Sequence, residues 1–178
     1  MAYYLVASLP TLELGEPAPL TPDQLLFQCQ GVLSSDDWAE LSLVLEGRLD
    51  EATSDFAAWW RNVDAQIRNQ VARHRAGLLH VEARSYQRMH SGYEVAVEEG
   101  VADALTHRQP LDRELALDRC RWIALEERTR LQPFSFEQVL AYALQLRMLD
   151  RWTGLTDEDG LKKIESFITE YAEKALES

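Results

Sequence analysis

The run Ser54 to Gly77, SDFAAWWRNVDAQIRNQVARHRAG, constrains the fold more than any other stretch of the chain. Phe56, Trp60, Val63, Ile67 and Val71 recur at three- and four-residue spacing and form one apolar stripe, which predicts a long amphipathic helix. Ser54 is a suitable N-cap and Gly77 a suitable C-cap. Arg61, Arg68 and Arg75 recur every seven residues on the flank of the stripe. Asp64 follows Arg61 by three and precedes Arg68 by four, so it can pair with either. Asn62 and Asn69 form a second, neutral polar row.

The rest of the chain supplies the other helices. Thr21-Pro22-Asp23-Gln24 has the pattern of a capping box with proline at the first helical position, and that helix ends near Gly31. Ser34 and Ser35 open another, through Trp38, Leu41, Val44 and Leu45. Pro110 opens a helix in which Leu111, Leu115, Trp122 and Leu125 are expected to point inward, with the pairs Asp118–Arg121 and Trp122–Glu126 on its rim. Ser135 with Gln138 starts the next, which carries Leu140, Ala143, Leu144, Leu146 and Leu149 to Trp152 and stops at Gly154; Phe134 is placed to staple onto Val139. A last amphipathic helix is expected from Thr156 or Asp157, using Leu161, Ile164, Phe167, Ile168, Tyr171 and Ala175. Ala2 to Ser8 reads as extended, because Tyr3, Tyr4, Leu5 and Val6 are strand formers halted by Pro10. Residues 78–92 read as a loop or irregular helix, and Tyr93 to Leu105 as a helix interrupted at Gly100.

The expected architecture is therefore all-α, an antiparallel bundle of six or seven helices with a short extended N-terminal segment. The chain reads as a single helical domain, 1–178, divisible into lobes 1–77 and 105–178 joined by an irregular segment 78–104. Each half places a Trp-bearing helix (Trp38; Trp122) before a longer one, a faint internal echo that two helix hairpins also produce without duplication.

Charge narrows the partners. The chain carries 30 acids against 18 bases, a formal net charge of -12. Nucleic acid needs a concentrated positive footprint, which disfavours it, and the same holds for an anionic membrane surface. No apolar run reaches the length of a membrane span. MAYYLVASLPTLELG lacks a basic leader and a small-residue cleavage site, so it is not read as a signal peptide. Cys29 and Cys120 fall on predicted helices and read as reduced core thiols of a cytoplasmic protein.

Chemistry-bearing patterns are missing from the sequence. It contains no phosphate-cradling glycine loop, no nucleophile elbow and no paired histidines at zinc spacing. His74, His80, His90 and His107 are scattered, and His74 reads as a structural histidine on its helix. No catalytic residue, cofactor or metal ligand is assigned. Trp60 joins the core stripe, whereas its neighbour Trp59 should lie at the edge, covered by a second lobe or by a partner. The arginine ladder reads either as a solvated face with internal pairs or as a surface that holds carboxylates of another protein.

Four strings carry a family resemblance: YYLVASLPTLELG, DAQIRNQVARHRA, LDRCRWIALEE and FSFEQVLAYALQLRMLDRW. Together they resemble a small bacterial family of uncharacterised proteins encoded among V/A-type ATPase subunits. The second and fourth are also similar to the C-type coupling component of that ATPase, whose eukaryotic counterpart is the d-type component. The resemblance implies a non-catalytic component in the place of this coupling protein, linking the central shaft to the membrane rotor ring. Alternatives are a helical adaptor or assembly factor for the same ATPase, and an enzyme with a cleft between its lobes. On the first reading the protein is cytoplasmic and peripheral on the inner face of the cell membrane, with no direct membrane insertion. Asp64, Arg68, Asn69, Arg73 and Arg75, with Arg147 and Arg151 of the second helix, would fix helix pairs or grip the partner by charge-assisted hydrogen bonds. Trp59 joins them as the edge residue a partner could cover.

Overall fold

The computed structural model describes residues 2–154, and within them the protein is all-helical. Seven α-helices follow in order: α1 Ala2–Ser8, α2 Pro22–Cys29, α3 Ser35–Glu46, α4 Asp55–Leu79, α5 Val95–Ala104, α6 Pro110–Thr129 and α7 Phe136–Thr153. A single 3-10 turn, Ala83–Tyr86, lies between α4 and α5. The expected final helix from Thr156 or Asp157 lies outside the described residues.

Start signals legible in the sequence are realised as hydrogen bonds. The Thr21 hydroxyl accepts from the Gln24 amide at 3.2 Å while the Gln24 side chain accepts from the Thr21 amide at 2.8 Å, a complete capping box. Ser34, Ser54 and Ser135 cap α3, α4 and α7 through their hydroxyls.

Helix α7 is the axis of the molecule. Val139 to Leu146 is buried without a break, so this segment is enclosed all round and not merely on one stripe. Helices α1, α2, α3 and α6 pack on it, while α4 packs on α5 and α5 on α6. One apolar cluster runs through both groups, from Leu5 and Leu25 through Phe56, Trp60 and Ile67 to Leu125, Leu146 and Leu149. Burial of side chains of this size contributes about 1.5–3 kcal/mol each to stability.

Several expectations are corrected. Ala2–Ser8 is helical, not extended: Leu5 is buried and Val6 packs against the core, so tertiary burial overrides strand propensity. The Tyr142 hydroxyl then pins the following chain by donating to the Pro10 carbonyl at 2.9 Å. Helix α4 continues through Gly77 to Leu79, and His80, at φ 55, takes the left-handed cap position expected of Gly77. Helix α5 passes through Gly100 without interruption because α6 crosses it closely there; a Cβ on Gly100 would come within 2.9 Å of Cys120 Sγ. Leu111 is exposed in the first turn of α6 and does not point inward, whereas Trp122 and Leu125 are buried as expected. Asp118, expected on the rim, is 1% exposed. Two expectations hold here: residues 78–92 carry the end of α4, the 3-10 turn and irregular chain, and the helix expected over Tyr93 to Leu105 is α5.

Candidate functional site: an arginine-rimmed groove

The long helix α4 presents an amide row, a tryptophan edge and an arginine ladder, and they have three different fates. The amide row faces inward. Asn69 donates to the Arg88 carbonyl and accepts from the Arg88 amide, both at 2.8 Å. Gln66 makes the same two-way contact with Glu94, at 2.8 and 2.9 Å. Asn62 accepts from the Ser91 amide at 2.8 Å and donates to the Ala58 carbonyl. Positions 62, 66 and 69 share one helix face, so their amides replace a neighbouring strand and hold residues 88–94 along α4. Asn69 thus acts within the chain as a clasp on the segment that follows α4.

The tryptophan edge is also occupied from within. Trp59 Nε1 donates to Glu94 Oε1 at 3.2 Å, and the Arg128 guanidinium lies 5.3 Å from the ring centroid. Phe56 and Trp60 complete the aromatic cluster on its other sides.

The arginine ladder splits along its length. Arg61 donates through Nη1 to the Leu49 carbonyl and to the Ala52 carbonyl, the latter at 2.8 Å, and clamps the α3–α4 connection. Arg68 pairs with Asp64 at 2.5 Å, and Asp64 also faces Arg121 of α6 at 3.6 Å. Arg121 in turn donates to buried Asp118 at 2.9 Å, and Asp118 binds Arg151 of α7. Arg68, Asp64, Arg121, Asp118 and Arg151 thus form a chain of alternating charge that ties α4 to α6 and α7. Arg75 has no carboxylate partner among the described residues.

The remaining two expected positions separate. Arg147 of α7 serves α3: its guanidinium donates to the Val44 carbonyl at 3.0 Å and caps the C-terminal end of that helix, lying against Gly47. Arg73 is exposed and lines a cleft between α4 and α5 with Gln70, His74 and Glu98.

Arg68, Arg75, Arg121 and Arg151 converge on one groove of about 580 Å³ between α4, α6 and the chain that follows α4. Val71, Ala72, Ala76 and Leu117 form its floor. Leu79, Val81 and Tyr86 form a wall and are 71%, 48% and 67% exposed. Glu114 is the one acid among the lining residues described. In a strongly acidic chain, an apolar trough edged by guanidinium groups selects against cations and favours an apolar surface bearing carboxylates. The wall is not legible in the sequence, where residues 78–92 show no helical period. Its signal is the cluster of apolar residues in a segment with no apolar stripe of its own: Leu78, Leu79, Val81 and Tyr86.

No curated protein and no solved structure matches the chain. A family model described as "Protein of unknown function (DUF2764)" matches residues 99–173, a span that takes in the end of α5, all of α6 and all of α7. The matched part is thus similar to that family and includes Arg121 and Arg151 of the groove, while Arg68 and Arg75 fall before it.

Proposed function

We propose that the protein is a non-catalytic helical component of a V/A-type rotary ATPase, in the place of its C-type coupling component, and that its groove receives an acidic, apolar-faced element of the central shaft or of the rotor ring. The observation that carries this reading is the junction of four arginines with an exposed apolar wall, Leu79, Val81 and Tyr86, where α4, α6 and α7 meet. The resemblance of the four sequence strings to proteins encoded among V/A-type ATPase subunits supplies the machine. Ion pairs at the rim of such a contact set orientation and association rate, while the apolar floor supplies most of the affinity. No helix among the described residues is long and apolar enough to cross a membrane. Attachment to the inner face of the cell membrane would therefore run through the ATPase partners.

Affinity purification of the tagged protein from its native cell tests this. The expected result is recovery of the ATPase head, shaft and ring together with the bait at comparable stoichiometry. Recovery of no ATPase component overturns the reading. Recovery only with incomplete assemblies, and absence from the finished enzyme, replaces it with an assembly factor.

A further inference from the structure

The cleft between α4 and α5 shares no lining residue with the arginine-rimmed groove. Its volume is about 640 Å³, within the range of small-molecule sites. We propose that it binds a small zwitterion, an α-amino acid with an apolar side chain, through Gln70, Arg73, His74 and Glu98. Three observations converge on this.

The first is unmet hydrogen bonding. Gln70 follows Gln66 by one helical turn and continues the amide row of α4. Asn62, Gln66 and Asn69 spend their amides on residues 88–94, but Gln70 is 7% exposed and its Oε1 has no partner among the described residues. His74 Nδ1 and Glu98 Oε2, from the same cleft, are likewise covered and without a partner among the described residues. Covered polar atoms left unpaired are destabilising, and a ligand that pairs them removes that penalty. An ammonium group offers three N–H donors, one for each of these atoms, with His74 accepting in its Nε2–H tautomer.

The second is charge. Arg73 is exposed at the cleft, and neither Arg73 nor Glu98 joins an ion pair among the described residues. A simple cation would be repelled by Arg73, and a simple anion by Glu98. A zwitterion satisfies both, its ammonium donating to Glu98 and its carboxylate accepting from the Arg73 guanidinium.

The third is the apolar side of the cleft. Val101 and Leu105, one turn apart at the end of α5, line it beside these polar groups and would seat an aliphatic or aromatic side chain. His74 and Glu98 are half-buried, so rotation of their side chains brings the covered atoms to a ligand.

The test uses the isolated, full-length protein, isotope-labelled for NMR, with L-leucine, L-methionine and L-phenylalanine as probes. At least one is expected to shift the Gln70 side-chain amide signals saturably, with a dissociation constant of about 1 mM or below. Isocaproate, which is leucine without its ammonium, and isoamylamine, which is leucine without its carboxylate, should each bind at least about tenfold more weakly than L-leucine. Arg73→Ala and Glu98→Gln should weaken the amino acid by a similar factor. Gln70→Met removes the unpaired acceptor at nearly constant shape, so it should weaken binding while the thermal midpoint holds or rises. No saturable shift with any of the three amino acids overturns the proposal, and so do equal affinities for leucine and its two halves. A lowered midpoint in Gln70→Met also overturns it, because Gln70 would then already have a partner within the protein. Saturable binding of zinc ion without binding of an amino acid makes the cleft a metal site and has the same consequence. None of these results bears on the ATPase reading, which purification from the cell tests separately.

Discussion

Asp118 accepts the indole N–H of Trp152 at 2.7 Å through the same carboxylate oxygen that binds Arg151, while its other oxygen takes Arg121 at 2.9 Å. One buried carboxylate thus joins the middle of α6 to the last turn of α7, next to the groove. Its burial would be costly without these donors, and with them it fixes the angle at which two rim arginines enter the groove.

Removing that carboxylate should hurt far more than removing a partner. Asp118→Ala is expected to cost about 3 kcal/mol, because it removes the acceptor of the Trp152 indole N–H and of the Arg121 and Arg151 guanidinium groups at once. Arg151→Gln should cost about 1 kcal/mol or less, because Arg151 is half exposed and Asp118 keeps two donors. Urea unfolding of the two variants checks the order; equal costs would mean that Asp118 is not the hub.

The amide clasp on α4 makes a local prediction. Gln66→Ala or Asn69→Ala leaves an amide and a carbonyl of residues 88–94 without their partners, at about 1–3 kcal/mol each. Hydrogen exchange should quicken at the Glu94 amide in the first variant and at the Arg88 amide in the second. Unchanged exchange at those positions would contradict the clasp.

Glu40 couples stability to acid. It accepts the Thr53 and Ser54 amides at 3.0 and 2.9 Å at the start of α4. Burial acts to raise its pKa, but the Ser54 hydroxyl, the two amides and the charge of Arg61 together hold it below the ordinary carboxylate value. A lowered folded pKa contributes stability above the unfolded value, and that contribution is lost as pH falls through the folded pKa. Glu40→Gln should therefore be less stable at neutral pH and show a shallower loss of stability below about pH 4.5. A parallel acid slope in variant and parent would refute this.

Tyr142 does the same at the alkaline end. Burial pushes its hydroxyl up to about 12. The raised folded pKa gives stability that is complete below the unfolded value near 10 and is lost as pH climbs toward 12. Tyr142→Phe should remove that part of the alkaline slope, along with the bond to the Pro10 carbonyl, as thermal midpoints across about pH 9–12 would show.

Helix starts are legible in the sequence because caps are local: Thr21, Ser34, Ser54 and Ser135 bond within their own first turns. The apolar stripe of α4 is legible because its period is local too. What sequence reasoning misses are contacts made between elements far apart in the chain. Nothing local says that Arg147 will cap α3 at Val44, that Asp118 will be enclosed, or that Asn62 and Asn69 will bind the backbone of residues 88–94. The heptad spacing of the arginines is visible, yet Arg61, Arg68 and Arg75 end in three different environments, because the surroundings of α4 change along its length. The resulting groove depends on the turn after α4, whose aperiodic residues carry no pattern to read.

The central claim is that the groove holds an ATPase partner through its arginines. The most direct measurement pairs two readouts on the tagged Arg75→Glu variant: ATPase components recovered from the cell, and the thermal midpoint of the isolated chain. Arg75 has no carboxylate partner among the described residues, so the midpoint should stay close to that of the parent while recovery falls several-fold, by about 1 kcal/mol or more of lost contact. Unchanged recovery, or a recovery lost only in step with a lowered midpoint, would contradict the account.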